Sequence, residues 1–74
     1  MLERLTARQK QILAMTVEGM TDKEIGLRLG ITWHTVKDTQ FKLRNRLGVD
    51  NRVQAVVLML RELREAKGQP GLTT

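Results

Sequence analysis

Seventy-four residues make one small domain with room for a single modest core, and no second domain fits within that length. Thirteen Lys and Arg against eight Asp and Glu give a formal charge of +5 and a pI near 10.5, a balance that suits a polyanion, nucleic acid first, although anionic lipid or an acidic protein would also satisfy it. Cysteine is absent, which excludes a disulfide framework, a thiolate nucleophile and a thiolate metal site.

In chain order, Thr6 with Gln9 three residues on forms a capping box, and Ile12, Leu13, Val17 and Met20 recur behind it at helical spacing. The pattern predicts a first helix over about 7–18, closed by Gly19. Thr21 with Glu24 is a second box, opening a helix over 22–29 that carries Ile25 and Leu29 inward and sets Asp22 and Glu24 at the positive end of its dipole. Gly30 is a natural left-handed terminator, and it lets the chain turn within about three residues before Thr32 caps the next helix.

Over 33–47, Val36, Leu43 and Leu47 fall on one stripe with Thr39 and Gln40 beside it, while Lys37, Asp38, Phe41, Arg44 and Asn45 fall on the other side. One face packs and the other is left to read something. Gly48 stops this helix, and Asp50 or Asn51 caps a fourth over about 52–66 that is apolar on two sides. Val53, Val56, Val57, Leu60 and Leu63 make the stripe expected to face the core. Ala55, Leu58 and Met59, with Glu62 beyond them, make a second stripe expected to meet another copy of the chain; the other reading is one wide core-facing surface. Residues 67–74, with two glycines around a proline and no periodicity, are expected to fray.

The expected architecture is therefore all-α, four helices within residues 1–66 and a flexible tail. A core of about a dozen aliphatic side chains, at about 25 cal/mol per Å² buried, meets a backbone ordering cost of similar size, so dimerisation would add stability. The longest wholly apolar run, the six residues from Ala55 to Leu60, is far short of a membrane span, and no basic stretch leads into an apolar one at the start.

Two helices joined by a tight turn, the second of them basic, are the pattern of a helix-turn-helix DNA reader. The chain further resembles the LuxR-type (NarL- or GerE-like) DNA-binding domain of bacterial transcription regulators. The resemblance runs without insertion from Leu5 to about Ala55 and rests on Leu5-Thr6-x-Arg8, Gly19, Lys23-Glu24-Ile25, Leu29-x-Ile31, Thr35-Val36-Lys37, Leu47-Gly48-Val49, Arg52 and Ala55. It implies a four-helix domain whose third helix enters the major groove and whose fourth pairs with its copy. Three places depart from the family pattern: Gln9 where an acid is usual, Thr39 where His is frequent, and Asp38 with Phe41 on the reading face. The preferred DNA sequence cannot be borrowed from a relative.

On that face Lys37 has the length and charge to reach guanine O6 and N7 or a phosphate. Asp38 would repel phosphate but can accept from cytosine N4; alternatively it only pairs with Lys42 one turn on. Phe41 either touches a thymine methyl or turns into the core, and Arg44 reaches a base edge or a phosphate at the groove wall. Lys42, Arg46 and Arg52 read as phosphate neutralisers. Thr32, Trp33 and Thr35, beside free N–H groups at the helix start, form one expected phosphate grip, with Thr21 and Lys23 a second across the groove. For Trp33 the competing reading is partial burial against the second helix.

His34 has no second His, no Cys and no carboxylate cluster around it, so no metal is expected, and no cofactor or small-molecule ligand either. Asp22 and Glu24 are explained as caps, and four short helices leave little concavity for an enzyme. The reading is a sequence-specific regulator, or the output domain of one, that binds duplex DNA as a homodimer in the cytoplasm, associated with the nucleoid when bound. The alternative from another class keeps the scaffold but uses it to dock on a protein such as RNA polymerase or another regulator. Asp38 and Phe41 keep that alternative open. The promoter-reading domain of sigma factors shares the scaffold but does not predict the Leu47-Gly48-Val49 and Arg52 register.

Overall fold

Side-chain caps decide where each helix begins. The computed structural model describes residues 2–67, the side chains of 66 and 67 excepted. Thr6 Oγ1 accepts the Gln9 N–H at 3.1 Å while Gln9 Oε1 accepts the Thr6 N–H at 3.0 Å, and α1 runs Ala7–Val17. The same reciprocal box, Thr21 with Glu24 at 3.2 and 2.8 Å, starts α2, Asp22–Leu29. Thr32 Oγ1 accepts the Thr35 N–H at 3.2 Å and opens α3, Trp33–Leu47. Of the two candidates for the last cap, Asn51 takes the role: its Oδ1 accepts the Gln54 N–H at 2.9 Å at the head of α4, Arg52–Lys67. Each such cap is worth about 1 kcal/mol and, more to the point, fixes where the chain changes direction. A short 3-10 turn, Leu2–Arg4, precedes α1 and has no counterpart in the periodicity of the sequence. No strand occurs among the described residues.

The turn between α2 and α3 is the tightest part of the fold. Gly30 takes φ 73° and ψ 30°, a left-handed geometry that a Cβ would penalise, and the Ile31 N–H donates back to the Gly26 carbonyl at 3.0 Å. The turn thus lies directly on the backbone of α2. A Cβ at Gly26 would sit 2.7 Å from the Ile31 carbonyl oxygen and 3.3 Å from the Trp33 nitrogen. Glycine there is what permits the close approach that sets the angle of α3.

The core is assembled from one face of each helix: Ile12 and Leu13 from α1, Ile25 from α2, Val36, Leu43 and Leu47 from α3 and Ala55 from α4, with Leu5 ahead of the first cap. The stripe expected on α3 is the one that packs, with Val36 and Leu43 fully buried. Inside this small core lies a polar junction. Gln40 is 2% exposed, and its Nε2 donates to Thr16 Oγ1 at 2.7 Å and to Asp22 Oδ1 at 3.2 Å. The Thr16 hydroxyl in turn donates to the Ile12 carbonyl at 2.9 Å. Arg52 completes the junction from α4, donating through Nη1 to the same Asp22 oxygen at 3.3 Å and through Nη2 to the Met20 carbonyl at 3.1 Å.

The fourth helix is rotated from the expected orientation. Ala55, expected at a dimer surface, is 2% exposed and belongs to the core, and Leu58 and Met59 pack partly buried against it. Glu62, on the same face, accepts the Leu2 N–H at 3.3 Å. Of the stripe expected inside, Val56 is half-buried and the rest is open, with Val53 at 70%, Leu60 at 47%, Val57 at 45% and Leu63 at 43% exposure. The cause is the anchor at the head of the helix. Arg52, Ala55, Met59 and Glu62 recur at helical spacing on one side, so once the Arg52 guanidinium reaches Asp22 and Met20, that side must face inward. The methyl of Ala55 is small enough to let α4 close on its neighbours. Residues 68–74 of the expected frayed tail lie outside the described residues.

Replacing Gly26 by Val puts a branched side chain where a single Cβ already meets backbone, and overpacking of this kind costs about 1–3 kcal/mol or more. Thermal unfolding followed by circular dichroism should show Tm falling by roughly 10 °C or more in Gly26→Val, at about 4–8 °C per kcal/mol for a domain of this size.

Candidate nucleic-acid interface

The outward side of α3 carries Lys37, Asp38, Phe41, Lys42 and Asn45 exposed, with Arg44 half-buried. Phe41 is 58% exposed, so the outward alternative holds and its ring is not part of the core. Two pairs, each spanning one helical turn, run side by side along this face. Lys37 Nζ lies 5.7 Å from the centroid of the Trp33 ring, within range of cation–π attraction. Lys42 Nζ lies 3.1 Å from Asp38 Oδ2, with side chains 64% and 62% exposed. An exposed pair of this spacing adds only about 0.3–0.5 kcal/mol to the helix; its interest is positional.

The head of α3 is organised by its own side chains. Trp33 stacks on His34 with centroids 3.9 Å apart and planes 29° from parallel, and the Thr32 and Thr35 hydroxyls share a hydrogen bond of 3.0 Å. Trp33 is 38% exposed and, with Lys23, Leu27, Ile31, Thr32 and His34, lines an open cleft between the heads of α2 and α3. The fold therefore brings together Lys23 and Trp33, which the sequence assigned to two separate grips. Thr21 and Thr32 spend an oxygen lone pair on their caps, which leaves the Thr21 O–H free to donate outward. At the other end of α3, Arg46 Nη1 donates to the Arg4 carbonyl at 3.0 Å; one of its five donors is used and the rest remain. Lys42, Asn45 and Arg46 line a shallow cleft with Gln9.

Arg52, expected to neutralise a phosphate, donates to Asp22 at the head of α2 and to the Met20 carbonyl just before it, an acceptor pair that matches the guanidinium fork, while its side chain stays 40% exposed. Ala55 leaves the expected dimer set for the reason given above.

Two features were missed by sequence reasoning. Leu27 is 85% exposed. Its position two residues from both Ile25 and Leu29, and so on the opposite side of α2, was the available signal. Gln40 was read as a neighbour of the packing stripe; nothing local in the sequence shows that its amide bridges α1 and α2. Among the described residues no group of three or more His, Asp or Glu converges as a metal site, and no helix is long and apolar enough to cross a membrane.

A basic helix set by a tight turn against a second helix, with an open polar face, defines a helix-turn-helix domain. Comparison with known proteins agrees. Residues 3–59 match the family model of bacterial regulatory proteins of the luxR family, and the chain belongs to that family. It is 46% identical over 57 residues to the probable transcriptional regulatory protein SgaR of Hyphomicrobium methylovorum, covering 77% of this chain and 27% of SgaR. It is 45% identical over 58 residues to the putative HTH-type transcriptional regulator YhjB of Escherichia coli, covering 78% of this chain and 29% of YhjB. With the spore germination protein GerE of Bacillus subtilis the identity is 39% over 57 residues, 77% of each chain. The chain thus spans less than a third of the length of the first two relatives.

Arg52→Met removes a half-exposed anchor while Gln40 still satisfies Asp22, so a loss of about 1 kcal/mol is expected, seen as a Tm lower by about 4–8 °C. With both terminal nitrogens of the guanidinium already donating to Asp22 and Met20, the logarithmic salt slope of binding to duplex DNA should fall by less than one in this variant, measured by fluorescence anisotropy across a salt series.

Proposed function

We propose that the chain is the DNA-binding domain, residues 1–66, of a cytoplasmic transcription regulator that reads duplex DNA as a homodimer. The observation that carries this is the outward face of α3, where Lys37, Asp38 and Phe41 stand clear of the core with Arg44 half-buried at its edge, while Val36, Gln40, Leu43 and Leu47 fix the opposite side. The membership in the luxR family and the names of the relatives support it. Lys37 and Arg44 take base edges or flanking phosphates, Asp38 takes a base amino group, and Phe41 supplies apolar contact to a thymine methyl. Thr21, Lys23, Thr32, Trp33 and Thr35 hold one strand's backbone, with Arg46 farther along α3, while Lys42 is paired with Asp38. Two copies place two α3 helices in successive major grooves, so the site is an inverted repeat with half-sites about 34 Å apart.

The dimer surface is the open stripe of α4, namely Val53, Val57, Leu60 and Leu63. Four apolar side chains at one helical spacing are a natural isologous contact, the same patch meeting itself across a two-fold axis. A second, compatible reading concerns Leu27. A leucine 85% exposed beside Trp33 favours a protein partner seated next to the DNA, RNA polymerase being the partner a transcription activator must meet.

Selection from a random duplex pool at near-physiological salt tests the main proposal, and an inverted repeat is the expected product. Lys37→Ala should then lose about 1–3 kcal/mol of discrimination at one position of each half-site, whereas Lys23→Ala should weaken all sequences alike and reduce the logarithmic salt slope by about one. Val57→Glu should sediment as a monomer and bind the repeat with lower affinity than the parent. Leu27→Ser, which adds no charge beside the Lys23 and Trp33 grip, should leave DNA affinity unchanged and lower transcription from a promoter carrying the site.

A further inference from the structure

Resting on the reading of α3 as the groove helix, we infer that Lys42 is a positioning residue for Asp38, and that the pair makes the protein select cytosine at one position of each half-site. Lys42 Nζ holds Asp38 Oδ2 at 3.1 Å, which leaves Oδ1 to accept. On the helical wheel Asp38 lies between Phe41 and Lys42, so the ammonium approaches from the flank and does not stand between the carboxylate and a base. Both side chains remain largely open, at 62% and 64% exposure, and Gln9 of α1, which shares a cleft with Lys42, carries no charge.

The chemistry follows from what the major groove offers. An ionised carboxylate accepts and cannot donate. Guanine presents two acceptors there and thymine one, so both repel it, while adenine sets its N7 acceptor beside the N6 amino group. Cytosine alone offers an amino donor with no acceptor on the same base. A bare carboxylate in the groove would also be pushed out by the phosphates; the Lys42 charge offsets this, and more strongly in the groove, where the local dielectric is lower, than in water. Lys42 therefore does more for specificity through Asp38 than it would by meeting a phosphate itself.

The test uses the full chain and the duplex recovered by selection, with all four base pairs substituted at each half-site position and affinity read by anisotropy. For the parent, one position should prefer cytosine by about tenfold over the other bases. Asp38→Ala should flatten that position alone, and Asp38→Asn should move its preference to adenine, whose N6 and N7 match an amide. Lys42→Gln should flatten the same position, and Lys42→Arg should restore it. Circular dichroism should show the four variants folded and melting within about 4 °C of the parent. The inference is overturned if Asp38→Asn leaves every preference in place, or if Lys42→Gln weakens all sequences equally with a smaller salt slope, the mark of a plain phosphate contact. A parent that enriches no site at all would instead overturn the DNA-reading proposal on which this one stands.

Discussion

Oδ1 of Asp22 receives an N–H from Gln40 at 3.2 Å and another from Arg52 at 3.3 Å, and the rotations of α3 and α4 both depend on it. Gln40 is nearly fully buried, so an amide without partners would carry a desolvation cost of about 1–3 kcal/mol. With Thr16 and Asp22 as partners that cost is met only at one rotation of α3. The same rotation sends Lys37, Asp38 and Phe41 outward. Arg52 imposes the equivalent condition on α4, which closes Ala55 onto the core and opens the stripe of Val53, Val57, Leu60 and Leu63. A core of eight buried apolar side chains gives little directional information by itself, since aliphatic packing tolerates rearrangement of similar volumes. The polar junction supplies the direction.

The close approach of the turn to α2 acts on a different variable. The junction sets how each helix is rotated about its axis, whereas Gly26 and Gly30 set the angle at which α3 leaves α2. Both must hold for the reading face to stand out from the body. The heads of α2 and α3 then lie close enough for Lys23, Leu27 and Trp33 to share one cleft, so backbone grip and any protein contact at Leu27 would occur side by side.

On α3 itself the charged groups are organised along the helix. Trp33 attracts Lys37 and Lys42 holds Asp38, so two groups on the reading face each have a partner one turn away. Such pairs restrict long side chains before any ligand is met, which lessens the ordering entropy that binding must overcome.

Capping, periodicity and the turn glycine were legible in the sequence because they are local: Thr6 with Gln9, Thr21 with Glu24 and Gly30 each act within four residues of chain. The packing stripe of α3 was legible too, since its polar side left one choice. On α4 two apolar stripes fitted the same spacing equally well, and the wrong one was assigned to the core. What decided between them was Arg52 meeting Asp22 and Met20 about thirty residues away, a contact that exists only after the helices have packed. The amino-acid sequence by itself determined four capped helices, a tight turn and a basic outward face, because these follow from bonds between near neighbours. Only the tertiary structure decided which side of α4 is open, that Arg52 serves the fold and that Gln40 is a buried bridge, because each depends on which distant group a side chain finds.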